Sequence, residues 1–231
     1  MAIADLVVQA PPAIARGRRL VREFAVRGEV VRALDQVDID IVPGALTAIS
    51  GPSGSGKSTL LALLGCIDRP DAGTVELAGR DVAALSRRAR RRMRRTTVAM
   101  MLPHPSDNLL LGRTGHANIG IAARQRGADP ALAADTVDQL RIGSFVGRHC
   151  MAMSGGEQQR VALACALAGG TALVLADEPT GALDQASAGD VIAALRRATE
   201  TGATIVTATH DPNLIAASDA VIRLEHGRRL A

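Results

Sequence analysis

A single lysine most constrains what this chain can fold into. All but one of the 27 basic residues are arginines, and the exception, Lys57, lies in GPSGSGKST at residues 51–59. The preceding segment ALTAIS, at residues 45–50, is typical of a short buried strand, and TLLALLG, at residues 59–65, is typical of a helix. A strand, a glycine-rich loop and a helix form a cradle in which backbone N–H groups and the helix N-terminus hold phosphates. The sequence therefore predicts a phosphate-binding loop.

Two side chains give this loop its predicted chemistry. Lys57 would reach the β- and γ-phosphates of a nucleotide, and the Ser58 hydroxyl would ligate Mg²⁺. A flexible glycine loop without a ligand is the alternative, and the flanking strand and helix argue against it. The predicted nucleotide-binding residues here are Gly51, Pro52, Ser53, Gly54, Ser55, Gly56, Lys57, Ser58 and Thr59.

The rest of the chain predicts an α/β fold. Residues 36–42 alternate apolar and polar side chains, and residues 71–81 place a short strand between turns, which together favour a small antiparallel sheet. Residues 117–168 are alanine-rich and helical in pattern. Residues 172–176 and 204–208 are typical of buried strands. With no internal repeat or linker, we expect a single domain over residues 1–231, with a helical part at about 104–168.

Polar residues follow both of the later buried strands. Asp177 and Glu178 end the first, and His210 follows the second. Ligands of open parallel sheets lie at the carboxyl ends of the strands, so these residues are predicted to meet Lys57. Asp177 would hold Mg²⁺, and Glu178 would orient or deprotonate the attacking water. The alternatives are an acidic turn that caps a helix and a structural histidine.

A second anion-binding helix start is predicted at residues 153–160, MSGGEQQR. Ser154, Gly155 and Gly156 lead into a helix that begins near Glu157. A chain with one lysine loop needs only one such cradle for its own phosphates. The second one suits the nucleotide of another copy.

In combination and order, these motifs make the sequence resemble an ABC-family ATP-binding subunit over nearly its whole length. Residues 51–58 resemble the family's Walker A, 153–158 its signature loop, 171–178 its Walker B, 180–184 (TGALD) its D-loop, and His210 its switch histidine. Phe24 falls where the family often stacks an aromatic ring on adenine. The resemblance implies a RecA-like P-loop core with an antiparallel β-subdomain and an α-helical subdomain. The further residues that it implies at the nucleotide are Ser154, Gly155, Gly156, Gln158 and Asp184.

The resemblance also implies a mechanism and partners. Two subunits, a homodimer or a heterodimer with a paralogue, would sandwich two ATP molecules with Mg²⁺, and hydrolysis would drive an integral-membrane permease. The subunit would be cytoplasmic, peripheral at the inner face of the plasma membrane. The DEPTGALD form at residues 177–184 looks most like lipoprotein-releasing, macrolide-exporting and FtsE-like systems. The permease, which sets the substrate, is not in this sequence.

One residue departs from the family pattern. Members usually carry a glutamine after the strand that leads into the helical subdomain, in a form like VFQxPxDNLL. Here the stretch is MLPHPSDNLL at residues 101–110, and the Asn-Leu-Leu register puts Pro103 at the glutamine position. Proline offers no side-chain oxygen to Mg²⁺ or water. We therefore expect slow hydrolysis unless the adjacent His104 substitutes in part.

Composition excludes several other classes. The longest apolar runs are far shorter than a membrane span, and no apolar signal-peptide core is seen at the N-terminus. Three scattered cysteines form no disulfide framework, which fits a reducing compartment. With Phe24 and Phe145 as the only aromatic residues, no nucleic-acid partner is expected.

Two features leave alternatives open. Seven of the 27 basic residues lie within residues 87–95, which predicts a solvated helix face, or else contact with anionic lipid or an acidic partner. The alternative overall function is a non-transport or catalytically impaired ABC ATPase that acts as a nucleotide-dependent regulatory clamp.

Overall fold

The computed structural model describes residues 13–26 and 28–230, except for the side chains of residues 130–132. Ten strands and seven α-helices form two sheets and a helical region within these ranges. Residues 1–12 and 231 lie outside the described residues, so the predicted single domain over 1–231 stays a prediction.

A six-stranded sheet forms the centre of the fold, in the order β10-β9-β3-β8-β7-β6. Its strands are β3 (Leu46–Ser50), β6 (Val98–Met101), β7 (Leu173–Asp177), β8 (Ile205–Thr209), β9 (Ala220–Glu225) and β10 (Arg228–Arg229). Only β10 pairs in the antiparallel sense. The predicted strands around residues 45–50, 172–176 and 204–208 are confirmed as neighbours in the order β3, β8, β7.

A four-stranded antiparallel sheet lies beside it, in the order β2-β1-β4-β5. Its strands are β1 (Ala15–Val26), β2 (Glu29–Ile41), β4 (Ala72–Leu77) and β5 (Arg80–Asp81). The predicted alternation is confirmed in β2, where Val37, Ile39 and Ile41 are buried and the two residues between them are exposed. This strand begins at Glu29, earlier than residue 36, because it pairs along the whole of β1.

The helices pack on both faces of the central sheet. They are α1 (Lys57–Leu64), α2 (Arg87–Thr96), α3 (Gly115–Arg126), α4 (Pro130–Gln139), α5 (Gly155–Leu167), α6 (Gln185–Glu200) and α7 (Pro212–Ala216). On β7, Leu173 and Leu175 face the core that holds α1, whereas Val174 and Ala176 face the core that holds α5. A strand buried on both faces reads as a continuous apolar run, which explains its sequence. No helix within 13–26 and 28–230 is long and apolar enough to span a bilayer.

Candidate active site

The phosphate-binding loop follows β3 and leads into α1, as the sequence predicts. A Cβ on Gly51 would lie 2.1 Å from the Leu224 carbonyl oxygen, and one on Gly56 would lie 2.3 Å from that of Ala33. Gly56 also has a φ of 101°, which side chains rarely allow. Both positions therefore require glycine, and the loop can pass this close to its neighbours only without side chains.

Lys57 is the first residue of α1, directly after the loop, and only 8% of its surface is exposed. Its Nζ donates to the carbonyl oxygens of Gly51 at 2.8 Å and Pro52 at 3.1 Å. An ammonium group has three donors, so one remains for a ligand. The Ser55 hydroxyl is buried and has no partner among the described residues. A positive charge and a free hydroxyl are thus held at the loop.

Asp177 ends β7 beside the loop. Burial raises the pKa of its carboxyl above the ordinary value; the hydrogen bond to Ser58 and the charge of Lys57 oppose this shift, and Glu178 adds to it. A carboxylate that is costly to ionise without a cation suits a metal position. Proteins hold Mg²⁺ with one or two carboxylates plus substrate phosphates, so Ser58 and Asp177 fit this ion.

Glu178 and His210 meet at the end of two neighbouring strands. Glu178 Oε1 lies 3.0 Å from His210 Nδ1. Its other oxygen, Oε2, is buried and has no partner among the described residues. Thr180 Oγ1 donates to Asp211 Oδ2 at 2.8 Å, which ties the segment after Glu178 to the segment after His210. Sequence reasoning missed this second contact, although Asp211 directly follows His210 and Thr180 begins the predicted D-loop segment.

One cavity of about 850 Å³ joins these groups. This volume lies within the range of small-molecule and cofactor sites. The wall includes predicted residues from every strand end, the loop and the glutamine position. It also includes Ala33, which sequence reasoning missed, and Gly181 and Ala182, which lie in the predicted D-loop segment but are not among the predicted site residues. The predicted residues in the lining are Phe24, Pro52, Ser53, Gly54, Gly56, Lys57, Ser58, Thr59, Pro103, His104, Asp177, Glu178 and His210. Phe24 is 38% exposed, and the Arg22 guanidinium lies 4.5 Å from its ring centroid.

The structure does not bring the individually predicted signature and D-loop site residues into this cavity, although two other D-loop residues, Gly181 and Ala182, line it. Those outside its lining are Ser154, Gly155, Gly156, Gln158 and Asp184, and the loop residues Gly51 and Ser55 also lie outside it. Asp184 caps α6 by accepting from the backbone of Ser187 at 2.9 Å. The Gln158 amide donates to the Cys150 carbonyl oxygen at 2.9 Å. In the single chain these two side chains hold local structure.

The N-terminus of α5 is closed by a capping box. Ser154 Oγ accepts from the Glu157 amide at 3.2 Å, and Glu157 Oε2 accepts from the Ser154 amide at 2.9 Å. Arg148 donates to Glu157 as well, a contact that sequence reasoning missed. Burial acts to raise the pKa of Glu157, but the bonds from Ser154 and Arg148 outweigh it and lower the pKa below its ordinary value.

The glycines of this cap leave two donors free. A Cβ on Gly156 would lie 2.9 Å from the Cβ of Ser187, which is too close. Glycine at this position therefore allows the first turn of α5 to pack against α6. The amides of Gly155 and Gly156 donate to no other described residue. Free amides at a helix N-terminus are an anion-binding arrangement, and here they face outside the chain's own cavity.

Comparison with known proteins identifies the family. The ABC transporter family matches residues 34–181. The lipoprotein-releasing system ATP-binding protein LolD of Anaeromyxobacter dehalogenans is 44% identical over 218 residues, which cover 91% of this chain and 90% of that protein. The macrolide export ATP-binding/permease protein MacB 1/2 of Paracoccus denitrificans is 39% identical over 220 residues, or 94% of this chain. The chain spans only about a third of the length of such MacB relatives (33%).

Solved structures share the fold. The dimeric post-hydrolysis state of the ATP-binding cassette MJ0796, bound to ADP and Pi, has a TM-score of 0.80 at 30% identity and covers 94% of this chain and 97% of that one. The cbiO1 structure from Clostridium perfringens has a TM-score of 0.85 at 23% identity and covers 96% of this chain and 88% of that one. The predicted RecA-like fold class is therefore confirmed. The matched family, a relative of nearly equal length and the common fold establish that this chain belongs to the ABC transporter family, as one of its ATP-binding cassettes.

Proposed function

We propose that the chain binds MgATP in the 850 Å³ cavity and hydrolyses it as the ATPase subunit of a transporter. The observation that carries this proposal is the convergence of Lys57, Asp177, Glu178 and His210 on one cavity at the carboxyl edge of the sheet. Three strands deliver these groups, and each group suits a different part of a nucleotide.

Binding is assigned to the loop and its surroundings. The amides of the loop and the N-terminus of α1 attract the phosphates, and Lys57 adds a full positive charge. Ser58 and Asp177 would hold Mg²⁺, which when bound offsets the negative charge that develops on the phosphates. Phe24 offers an exposed ring at the cavity wall, on which an adenine can stack.

Hydrolysis is assigned to the pair formed by Glu178 and His210. The bond from His210 to Oε1 fixes the carboxylate, and the carboxylate accepts a proton from the attacking water. The water oxygen forms a bond to the γ-phosphorus while the bond to the bridging oxygen breaks. Positioning a water and its base in this way is the main task that phosphoryl transfer leaves to the protein.

A second subunit would complete the site. The free amides of Gly155 and Gly156 lie outside the chain's own cavity, so they are available to the ATP of a second copy or of a paralogous subunit arranged head to tail. The dimeric structure of the MJ0796 cassette supports the pairing of two copies. We further propose an integral-membrane permease partner, at the cytoplasmic face of the plasma membrane, in a system of the LolD or MacB kind.

Pro103 gives a reason to expect slow turnover. It lines the cavity with His104 but offers no side-chain oxygen to Mg²⁺ or water, which should slow hydrolysis. ATP binding should be less affected, because it depends on the phosphate-binding loop. An ATPase that binds well and hydrolyses slowly could act as a nucleotide-dependent regulatory clamp. That is the second candidate function.

Glu178→Gln tests the proposal. The variant should bind ATP, fail to turn it over and accumulate as an ATP-bound dimer in size-exclusion chromatography with light scattering, because the base is lost and the phosphate contacts remain. Lys57→Ala is the matched control and should lose nucleotide affinity and therefore dimerisation. An ATP-loaded Glu178→Gln protein that stays monomeric at all concentrations would contradict the proposed dimer with ATP between its subunits.

A further inference from the structure

Helix α2 presents a dense positive surface that the proposed ATPase activity does not use. Seven of its ten residues are arginines, and six of the seven are exposed. Met93 is 4% exposed and anchors the opposite side of the helix in the core. Because residues four apart share a face, the outward arginines form two adjacent rows. We call these five residues the α2 surface: Arg87, Arg88, Arg91, Arg92 and Arg95.

The arginines of α2 lack the carboxylate partners that several arginines have elsewhere in the described residues. In the described part of the chain, eight other arginines form ion pairs with aspartate or glutamate, such as Arg22 with Asp68 at 2.8 Å. No arginine of α2 does so among the same residues. Within the described ranges, arginines without a carboxylate partner also occur elsewhere, as at Arg19 and Arg141, so the distinguishing feature of α2 is that seven of them lie within one helix of ten residues.

A second, independent feature lies at the edge of this surface. Arg69 donates to the Leu85 carbonyl oxygen at 2.5 Å, and Arg94 donates to that of Cys66 at 2.6 Å. Arg90 lies among them, and its Nε is buried with no partner in the described residues. Burial, followed by the charges of Arg69 and Arg94, lowers the pKa of Arg90. An unneutralised cluster with a free donor is a place where an anion is favoured.

The helix itself is strained electrostatically by these charges. Its first turn contains Arg87 and Arg88 and no acidic residue, although the positive end of the helix dipole favours anions there. Like charges four residues apart, such as Arg87 and Arg91, also repel each other. Negative charge outside the helix would remove both penalties.

We propose that the α2 surface binds the anionic phospholipid headgroups of a membrane. Guanidinium groups match phosphate with paired hydrogen bonds, and clusters of four to eight basic residues on a helix suit anionic lipid. The helix exposes no large apolar side chain, so contact is at the level of the headgroups without insertion. Outside residues 87–95 the chain carries a net negative charge, so no basic track continues along which a nucleic acid could lie.

Vesicle co-sedimentation of the full chain without nucleotide tests this inference. Vesicles of phosphatidylglycerol and phosphatidylcholine are compared with phosphatidylcholine alone. The test variant is Arg87→Gln/Arg91→Gln/Arg95→Gln. The control removes three exposed arginines elsewhere, with the same change of net charge: Arg19→Gln/Arg141→Gln/Arg223→Gln. Thermal melts establish that both variants fold.

We expect binding to anionic vesicles only, and its loss in 1 M NaCl, where charges are screened beyond about 3 Å. Each basic residue near an anionic surface contributes about fivefold, so the test variant should lose about a hundredfold in partitioning while the control keeps most of it. Three results would overturn the inference: no binding by the wild type, an equal loss in the control, or stronger binding to duplex DNA than to the vesicles. Because the assay contains no ATP, its failure leaves the proposed ATPase function intact.

Discussion

Replacing Pro103 by glutamine should raise the rate of ATP hydrolysis. Pro103 lies between β6 and the 3₁₀ turn Pro105–Asn108, and it lines the cavity. Its ring can neither donate nor accept a hydrogen bond. A glutamine at this point of the wall would bring an amide toward the groups that hold Mg²⁺ and water. The added amide can reach these groups only if the loop keeps its shape without the proline.

The loop should keep its shape because Asn108 holds it. The Leu102 amide donates to Asn108 Oδ1 at 2.8 Å, and Asn108 Nδ2 donates to the carbonyl oxygens of Leu102 at 2.9 Å and His104 at 3.0 Å. At about 1 kcal/mol each, these bonds exceed the loss of about 0.4–1 kcal/mol expected when a proline is removed. One positioned polar group in a site is worth roughly ten- to a thousandfold in rate, or about 1.4–4 kcal/mol of the barrier. We therefore expect the variant loop to keep its shape and the rate of hydrolysis to rise.

Steady-state ATPase rates and equilibrium binding of ATP measure the two effects separately. Pro103→Gln should raise kcat about tenfold or more and leave ATP affinity nearly unchanged. Pro105→Gln is the control, since Pro105 lies in the same loop but not in the cavity lining. The reasoning fails if Pro105→Gln accelerates hydrolysis equally, because the effect would then be loop mobility. It also fails if Pro103→Gln leaves kcat unchanged.

Two further predictions concern charges. The pKa of the Asp177 carboxyl is raised in the fold, so the free energy of unfolding decreases as the pH rises from the unfolded-state pKa to the folded-state pKa. In thermal melts at pH 7 without ligand, Asp177→Asn should therefore have a higher melting temperature than the wild type, and the difference should narrow in acid. MgATP should raise the melting temperature of the variant less than that of the wild type. Arg148→Gln should weaken the cap at Ser154, because Glu157 loses its ion pair. For this part-exposed pair the loss is worth up to about 1 kcal/mol, which corresponds to about a fivefold rise in the ATP concentration needed for dimerisation in a Glu178→Gln background. Arg148→Lys should restore part of this loss, while fluorescence titration should find ATP affinity of the monomer unchanged; a parallel fall in monomer affinity would refute a role limited to the cap.

Elements with local sequence patterns could be predicted before the structure was known. The loop around Lys57 is specified by adjacent glycines, and β7 and β8 are specified by short apolar runs that follow from burial on both faces. The proximity of Glu178 and His210 could be predicted as well. It needs only the rule that parallel strands deliver their carboxyl ends to the same edge.

Elements that depend on distant partners could not be predicted in this way. Strand β1 carries arginines at several positions, and its charge is balanced by residues far along the chain, as between Arg16 and Asp40 at 3.0 Å or Arg22 and Asp71 at 3.0 Å. Strand β6 has only four residues and shows no period. The bond between Thr180 and Asp211 joins residues 31 positions apart and becomes visible only when β7 and β8 lie side by side.

The two helix N-termini that the sequence predicts as anion sites differ in what surrounds them. That of α1 lies in the cavity with Lys57 and the carboxylates, which are the groups proposed to hold a nucleotide. That of α5 has its Ser154 and Glu157 side chains already paired, and only the amides of Gly155 and Gly156 stay free. Two neutral donors are too few to bind a nucleotide alone, but they suit a phosphate that another chain already holds. The division of the site between two surfaces of one chain is therefore the physical reason to expect ATP binding by the monomer and hydrolysis by the dimer.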